Sequence, residues 1–468
     1  MTTPGAEAAR NSADLAGSRA LVLGLGRFGG GLGAARWLLG EGARVTVTDR
    51  LPQSELAEPA AELASAGATL ALGGHDGLDV SDYDLLVVNP AVPLGAPLVV
   101  AARRAGLTVT SEMALLLSRW PGPVLGVTGS NGKSTTVSMA AALLQAAGVS
   151  ARAGGNLGGS LLGELEGANE QTVAVVELSS FMLEVTGPLG LGPEVAVVTN
   201  ITPNHLDRHG TFQEYREAKG AALVAARCAV LPSYEPVARE LPRPPGCERL
   251  VFGPAGEGVD LGVDEAGALV DASGTRRLAA DGLAFPGQVA RLDLAAATLA
   301  VASLLGDRDR AFAALPAAAA AWRAPPHRLA TVLSAEGVVW IDDSVSTTPE
   351  STAASLAAVG APCVLICGGH DKGLDPTALI EAAGTHVRLA LTVGEQADRL
   401  VQALSAAGIA ALNAETVEQA VMLAASRVEK GDTVLLSPGY SSHDQFVHFE
   451  ARGEAFARSV AELHANTD

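Results

Sequence analysis

Gly126-Val127-Thr128-Gly129-Ser130-Asn131-Gly132-Lys133-Ser134-Thr135 follows the short apolar run Val124-Leu125 and leads into Thr136-Val137-Ser138-Met139-Ala140-Ala141-Ala142-Leu143-Leu144. The pattern is strand, glycine loop, helix. Glycines let successive backbone N–H groups turn toward one point, and the helix N-terminus adds partial positive charge there. From such a loop Lys133 reaches phosphate oxygens and the Ser134 hydroxyl ligates Mg²⁺. Gly129, Ser130, Asn131, Gly132, Lys133, Ser134 and Thr135 are therefore the candidate triphosphate cradle. The strict pattern G-x-x-x-x-G-K-[ST] fails at one position, because Val127 stands where its first Gly belongs. A plain Gly-rich βα turn would not call for the Lys-Ser-Thr.

The chain of 468 residues is too long for one ordinary core, so two or three domains are expected. A hydrophobic share of 48% and positive mean hydropathy fit globular α/β structure. The net charge of −19, with no clustered basic stripe, argues against nucleic acid as a partner. The segment through Ala16 reads as a frayed tail without the apolar core of a signal peptide. Apolar runs such as 351–369 are broken by Gly and Pro and read as buried elements, so no membrane partner is expected. Cys228, Cys247, Cys363 and Cys367 suit the core of a reduced, cytoplasmic protein rather than a disulfide framework.

Of 32 basic residues only four are lysines: Lys133, Lys219, Lys372 and Lys430. Such a chain keeps lysine where a guanidinium will not serve, because only an amine is a compact point charge or can lose its proton and react. Lys430, before Gly431, reads as an ordinary helix C-terminal residue. The other three fall in motifs.

Ahead of the phosphate loop, Ala20–Leu23 reads as a buried strand followed by Gly24-Leu25-Gly26-Arg27-Phe28-Gly29, a helix to Leu39, and a strand Arg44–Thr48 ending at Asp49-Arg50. This is G-x-G-x-x-G in a βαβ unit with an acid about 25 residues on, which taken alone suggests NAD with Asp49 on the ribose. Strand Tyr83–Val88 ends in Asn89-Pro90-Ala91-Val92-Pro93, a loop placed where ligands bind in parallel sheets. Trp120-Pro121-Gly122-Pro123 punctuates the end of this region.

After the phosphate loop come the turn Gly154-Gly155-Asn156-Leu157-Gly158 and the strand Val173–Val176. That strand ends at Glu177, whose carboxylate is placed to hold Mg²⁺. Val195–Thr199 leads to Asn200-Ile201-Thr202-Pro203-Asn204-His205-Leu206-Asp207-Arg208-His209. The i, i+4 histidines hint at zinc, but no third ligand is evident. Lys219 follows on a helix with Tyr215. Residues 250–284 read as a β-rich flank, 294–305 as a buried Ala-rich helix, and Pro325-Pro326 as a boundary. Beyond it, αβ alternation indicates another mostly parallel sheet. Its strand ends carry Asp343, Lys372 and Ser437-Pro438-Gly439-Tyr440-Ser441-Ser442, a polar cluster suited to a small charged substrate. Phe449 and Arg452 sit on the final helix.

Taken in order, Gly-x-Thr-Gly-Ser-Asn-Gly-Lys-Ser-Thr, Gly-Gly-Asn, Glu-Leu-Ser-Ser-Phe-x-Leu-Glu and His-Leu-Asp-Arg-His with Lys219 downstream resemble the Mur ligase family over nearly the whole chain. Gly-Gly-His-Asp-Lys-Gly-Leu-Asp, Leu-Ser-Pro with Asp444-Gln445-Phe446, and Phe449-Glu-Ala-Arg-Gly-Glu-Ala-Phe456 are similar to its D-glutamate-adding branch. The resemblance implies an α/β protein of three domains. These are a Rossmann-like UDP-binding domain (1–119), a central P-loop ATP-binding domain (120–325) and a Rossmann-like amino-acid-binding domain (326–468). It implies an ATP-dependent ligase that phosphorylates the carboxylate of UDP-N-acetylmuramoyl-L-alanine and joins it to D-glutamate, in the cytoplasmic part of peptidoglycan synthesis, acting as a monomer.

By the same resemblance, Lys133, Glu177, His205 and Lys219 are catalytic. Ser134 and Glu177 hold one Mg²⁺, and His205 with a carbamylated Lys219 holds a second. Asn156, Ser179 and Tyr215 contact the UDP-sugar, and Gly24, Gly26, Asp49 and Arg50 hold UDP rather than NAD. Asp293, Arg328 and Asp343 contact the nucleotide. Thr347, Lys372, Ser442 and Phe449 form the D-glutamate pocket. The family's Gly-x-His-Asn-x-x-Asn segment reads here Gly287-Gln288-Val289-Ala290-Arg291-Leu292-Asp293, Val345 stands where many members have Lys, and Asn204 where an Asp is usual. A different Mur enzyme or a folylpolyglutamate-type synthase would share the ATP site, and an NAD-dependent oxidoreductase would share the first motif.

Overall fold

A computed structural model describes residues 15–25, 30–156, 159–279, 288–323, 326–359, 362–371 and 373–465. Gly26 and Lys372 of the expected sites lie outside them. The described chain forms two compact units, one from 1–201, 213–282 and 292–321, the other from 202–212, 283–291 and 322–468.

The first unit holds two sheets. β1 (Arg19–Leu23), β2 (Arg44–Asp49), β3 (Thr69–Leu72), β4 (Leu85–Val88) and β5 (Thr108–Thr110) pair in the order β3-β2-β1-β4-β5, all parallel. The order reverses between β1 and β4, and such a switch point opens a crevice at the carboxyl ends of the strands. Gly24 sits at that point with φ of 89°, and a Cβ there would lie 2.9 Å from Asn89 Cβ and 3.0 Å from Val92. The two loops can meet only over a glycine. β3 and β5 escape sequence reading because they are short and have no long apolar run.

The second sheet contains β6 (Val124–Thr128), β7 (Ala151–Gly155), β8 (Val173–Glu177), β9 (Val195–Val198) and β10 (Cys228–Pro232), followed by β11 (Glu248–Pro254), β12 (Leu261–Val263), β13 (Leu269–Asp271) and β14 (Arg276–Leu278). The order is β14-β13-β12-β11-β10-β9-β6-β8-β7, with antiparallel pairing only at β12-β13-β14, the expected β-rich flank. β6 lies between β8 and β9, so the phosphate loop after β6 emerges beside the ends of both. Leu25, Leu38, Val45, Met113 and Leu116 share one apolar core with Leu161, Leu178 and Leu183, so the two sheets pack through a common interior. Trp120 is a lock within it, its indole N–H donating to Thr172 O at 2.9 Å.

The helix Gln288–Leu305 is long and apolar enough to cross a membrane by length and composition, but 61% of it is buried inside the protein. Ala295, Ala296, Leu299, Ala300 and Val301 are fully buried. It is a core helix, as expected from its alanines.

The second unit is built on β15 (Ala330–Ala335), β16 (Val338–Asp342), β17 (Cys363–Gly368), β18 (Val387–Val393), β19 (Ala411–Glu415) and β20 (Thr433–Leu436), ordered β15-β16-β20-β17-β18-β19. All pairs are parallel except β15-β16 at the edge. Trp340, Ile366, Leu391, Val434 and Phe456 fill one face, and Leu365, Leu379, Leu400 and Leu435 the other. Cys363 and Cys367 are buried core thiols pushed up to about 12 by burial, whereas Cys247 is only half-buried. Lys430 is not a helix cap: the helix Val417–Ala425 ends at Ser426, and the Lys430 stem lies over Gly337.

Candidate active site

The phosphate loop is held open from beneath. Gly129 takes φ of 150° and Gly132 φ of 82°, conformations that side chains resist. A Cβ on Gly129 would run into Thr199, and one on Gly132 would lie 2.5 Å from Asp293 Oδ1. Asn200 staples the loop with both ends of its amide: Oδ1 accepts from Asn131 N at 3.0 Å and Nδ2 donates to Asn131 O at 3.1 Å. The helix Lys133–Ala146 starts immediately afterward, so its first N–H groups face the loop's concave side.

Lys133 Nζ donates back to Gly129 O at 2.9 Å and Ser130 O at 2.8 Å. Ser134 Oγ donates to Glu177 Oε2 at 2.7 Å, and Asn156 Nδ2 donates to Glu177 Oε1 at 2.9 Å. Glu177 ends β8, next to β6, and is 3% exposed. The Thr135 hydroxyl is buried with no hydrogen-bond partner. A hydroxyl and a carboxylate in contact, both hard oxygen donors, match what Mg²⁺ takes.

Lys219 completes the cluster. Its Nζ donates to Gly129 O at 2.8 Å and to Thr128 Oγ1 at 3.5 Å, and lies 4.9 Å from the Tyr215 ring centre. Tyr215 Oη in turn contacts Ser130 Oγ at 2.9 Å. Lys219 is 2% exposed, and its amine shares one carbonyl oxygen with Lys133. Two ammonium groups on one oxygen in a buried place repel strongly. Burial first, then the Lys133 charge, pushes the Lys219 amine well below the ordinary lysine range, against a smaller opposite pull from Glu177.

A cavity of about 760 Å³ opens at the switch point of the first sheet, lined among others by Gly24, Asp49, Arg50, His75, Asn89 and Val92. Its size suits a nucleotide-sized ligand. Asp49 Oδ1 accepts from Leu51 N at 2.9 Å, and Thr48 Oγ1 lies 2.8 Å from His75 Nδ1. Asn89 and Val92 come from the loop expected to meet a ligand, whereas His75, which shares the lining with Arg50, was not expected. Only the pairing of β3 beside β2 brings His75 there.

His205 belongs to the second unit. It stands in the left-handed region at φ of 54° as N-cap of the short helix Leu206–His209, its N–H bonded to Asn204 Oδ1 at 2.9 Å. His205 and His209 are thus not one face of a regular helix, and the described residues hold no group of three or more metal-binding side chains. Asp343 is buried, accepting from Leu329 N at 3.2 Å, Ser355 Oγ at 2.6 Å and Ser437 Oγ at 2.8 Å. Arg328 Nε is buried without a partner. Thr347 is half-buried and Ser442 buried, and Phe449 sits edge-on to His327 at 6.3 Å. Ser179 caps the helix Ser180–Thr186, accepting from Met182 N at 3.2 Å.

Three family models match the chain: the Mur ligase MurD-like N-terminal domain over residues 18–111, the Mur ligase middle domain over 127–258, and the Mur ligase glutamate ligase domain over 327–440. The chain is 35% identical over 462 residues to a UDP-N-acetylmuramoylalanine--D-glutamate ligase of Pelotomaculum thermopropionicum, covering 96% of this chain and 99% of that one. The chain belongs to the Mur ligase family. Its fold is that of the crystal structure of the UDP-N-acetylmuramate-alanine ligase MurC from Thermotoga maritima (TM-score 0.61, 18% identity, 96% of this chain and 100% of that one). It is equally that of MurF ligase from the same organism in complex with ADP (TM-score 0.59, 17% identity, 90% and 96%).

In this Mur ligase, one buried pair was not legible in the sequence. Glu112, 6% exposed, accepts from Ser160 Oγ at 2.5 Å, and Ser160 packs on Gly33, whose missing side chain makes the room. Burial raises the Glu112 carboxyl above its ordinary range, only partly offset by Ser160. A raised carboxyl pKa favours folding fully below the unfolded value and loses that contribution as pH rises through the folded one. Glu112→Gln keeps the acceptor and removes the titration. Its thermal midpoint relative to wild type should therefore rise, on the order of 2 °C, between about pH 5 and about pH 8. A difference that stays flat with pH in calorimetry would contradict this.

Proposed function

We propose that the chain joins D-glutamate to UDP-N-acetylmuramoyl-L-alanine in an ATP-dependent, cytoplasmic step of peptidoglycan synthesis. The relatives that carry this name match over almost their whole length. The γ-phosphoryl group of ATP passes to the terminal carboxylate of the sugar nucleotide, leaving ADP and an acyl phosphate. The amine of D-glutamate attacks the acyl carbon, and the tetrahedral intermediate expels phosphate and a proton.

The observation that carries this reading is the Lys133–Gly129–Lys219 arrangement beside Ser134, Glu177 and Asn156. Three anionic groups must converge for the reaction, and a preorganised set of cation, amides and metal ligands offsets their repulsion. Lys133 and the N–H groups of Gly129–Thr135 bind and orient the phosphates. Ser134 and Glu177 would hold Mg²⁺, with His205 toward a second ion, and Mg²⁺ supplies charge neutralisation on the phosphate oxygens. In its neutral form the Lys219 amine adds CO₂ to form a carbamate, releasing one proton and turning a basic side chain into an anionic oxygen ligand.

The sugar nucleotide fits the cavity of Gly24, Asp49 and Arg50, reaching toward Asn156, Ser179 and Tyr215. Asp293, Arg328 and Asp343 serve the nucleotide, and Thr347, Lys372, Ser442 and Phe449 the amino acid. In this reading the domains run 1–119, 120–325 and 326–468 and the enzyme works as a monomer.

The test is phosphate release with Mg-ATP and UDP-N-acetylmuramoyl-L-alanine across D-glutamate, L-glutamate, L-lysine, meso-diaminopimelate and L-alanine. Release with D-glutamate alone is expected. Release with another acceptor would keep the ligase chemistry and overturn the amino-acid assignment.

A further inference from the structure

Arg452 is one of the largest fully buried side chains, 2% exposed, on the helix Phe449–Ala465. A buried guanidinium ordinarily has a carboxylate against it, because desolvating an unpaired charge is costly. Among the described residues this one has none within 4.0 Å. Its guanidinium donates instead to uncharged oxygens: Nε to Ser344 Oγ at 3.0 Å, Nη2 to Ser344 O at 3.0 Å and Nη1 to Tyr440 O at 3.1 Å. The acids that influence it most are occupied elsewhere. Asp342 accepts from Ser344 N at 2.9 Å and contacts His327 Nδ1 at 2.7 Å, and Asp444 accepts from Glu395 N at 2.9 Å. Burial lowers the guanidinium only to about 10, so it is charged at neutral pH.

The charge sits where three strand ends meet. Ser344 follows β16 and Tyr440 follows β20. A Cβ on Gly369, which follows β17, would come 3.2 Å from Arg452 Nη1. Ser344 Oγ also donates to Phe449 O at 2.8 Å. Thr347, Ser442 and Phe449, the described residues of the amino-acid pocket, thus hang from segments that one side chain ties together.

We propose that Arg452 is a positioning residue for the amino-acid acceptor, an unpaired buried cation that pins the segments after β16 and β20 beside the one after β17 and biases their pocket toward an acid with a second carboxylate. The proposal rests on reading this cluster as the acceptor pocket. A guanidinium suits the task because its planar fork holds three oxygens at once while no donor is lost to deprotonation.

The experiment compares full-length wild type, Arg452→Lys and Arg452→Met in steady-state ligation, with KM measured separately for acceptor, ATP and sugar nucleotide. Arg452→Lys keeps the charge without the fork and should raise the acceptor KM about tenfold, with the other two KM values within about threefold. Arg452→Met should raise the acceptor KM about a hundredfold or more. If the Met variant does not fold, the Lys variant decides alone. Three KM values moving together, a fall in kcat alone, or a lower thermal midpoint with unchanged acceptor KM would each overturn the proposal. A wild-type preference for another acceptor refutes the D-glutamate reading instead, and the variants are then scored with that acceptor.

Discussion

Lys219→Arg is expected to leave no measurable ligation, a loss of at least about a thousandfold, of the size seen when a preorganised charge at a reaction centre is removed. The reason is protonation state rather than bulk. Lys219 is buried, shares the Gly129 carbonyl with Lys133, and is pushed toward the neutral amine. An arginine there is always charged, cannot add CO₂, and would place a second permanent cation beside Lys133. Lys219→Ala should be equally inactive, but it leaves a cavity against Tyr215 and Thr128 that a small anion can enter. Added formate or acetate should recover a measurable fraction of phosphate release in Lys219→Ala and none in Lys219→Arg, whose side chain fills the space. Failure of every short carboxylate to restore Lys219→Ala, with the variant folded by circular dichroism, would remove the carbamate from the mechanism. Near-normal activity in Lys219→Arg would remove the residue from it altogether.

Lys133→Ala should lower kcat by about a thousandfold or more, equivalent to about 4 kcal/mol of transition-state stabilisation. Its structural effect should be much smaller. The side chain donates two hydrogen bonds to backbone carbonyls of a loop that Asn200 and Thr199 also hold, and a net hydrogen bond contributes about 1 kcal/mol. The variant should therefore fold and melt close to wild type while failing to turn over ATP. The same change removes the cation that helps push the Lys219 amine below the ordinary lysine range, so the two lysines form one unit. Lys133→Ala with Lys219→Ala should be little worse than either alone, as expected of residues that act together. Phosphate release within tenfold of wild type in Lys133→Ala would overturn the assignment of this loop to the transferred phosphate.

Much of this site could be read from residue order. The phosphate loop, the strand ending at Glu177, the helix carrying Lys219 and the parallel third sheet were all expected where they occur, because each is a local pattern. Glycine at a turn, an apolar run of strand length and a polar residue at its end all lie within a few positions of one another. The scarcity of lysine marked Lys133 and Lys219 without any structure, since arginine cannot replace a reactive amine.

What only the folded chain decided is which distant positions share an atom. That Gly129 O receives bonds from both Lys133 and Lys219 depends on β6 lying between β8 and β9, and Asn156 on Glu177 depends on β7 pairing with β8. Neither order follows from the apolar pattern, which reports burial along the chain but not neighbours across it. The Glu112–Ser160 pair and the unpaired Arg452 are hidden for the same reason. A charged residue on a helix is ordinarily solvated, and only packing against Ser160, or beneath Ser344 and Tyr440, takes it out of water. The chain's order of residues specified the chemistry it can perform. The sheet order specified which groups are close enough to change one another's charge, because electrostatic coupling depends on distance and burial rather than on separation in sequence.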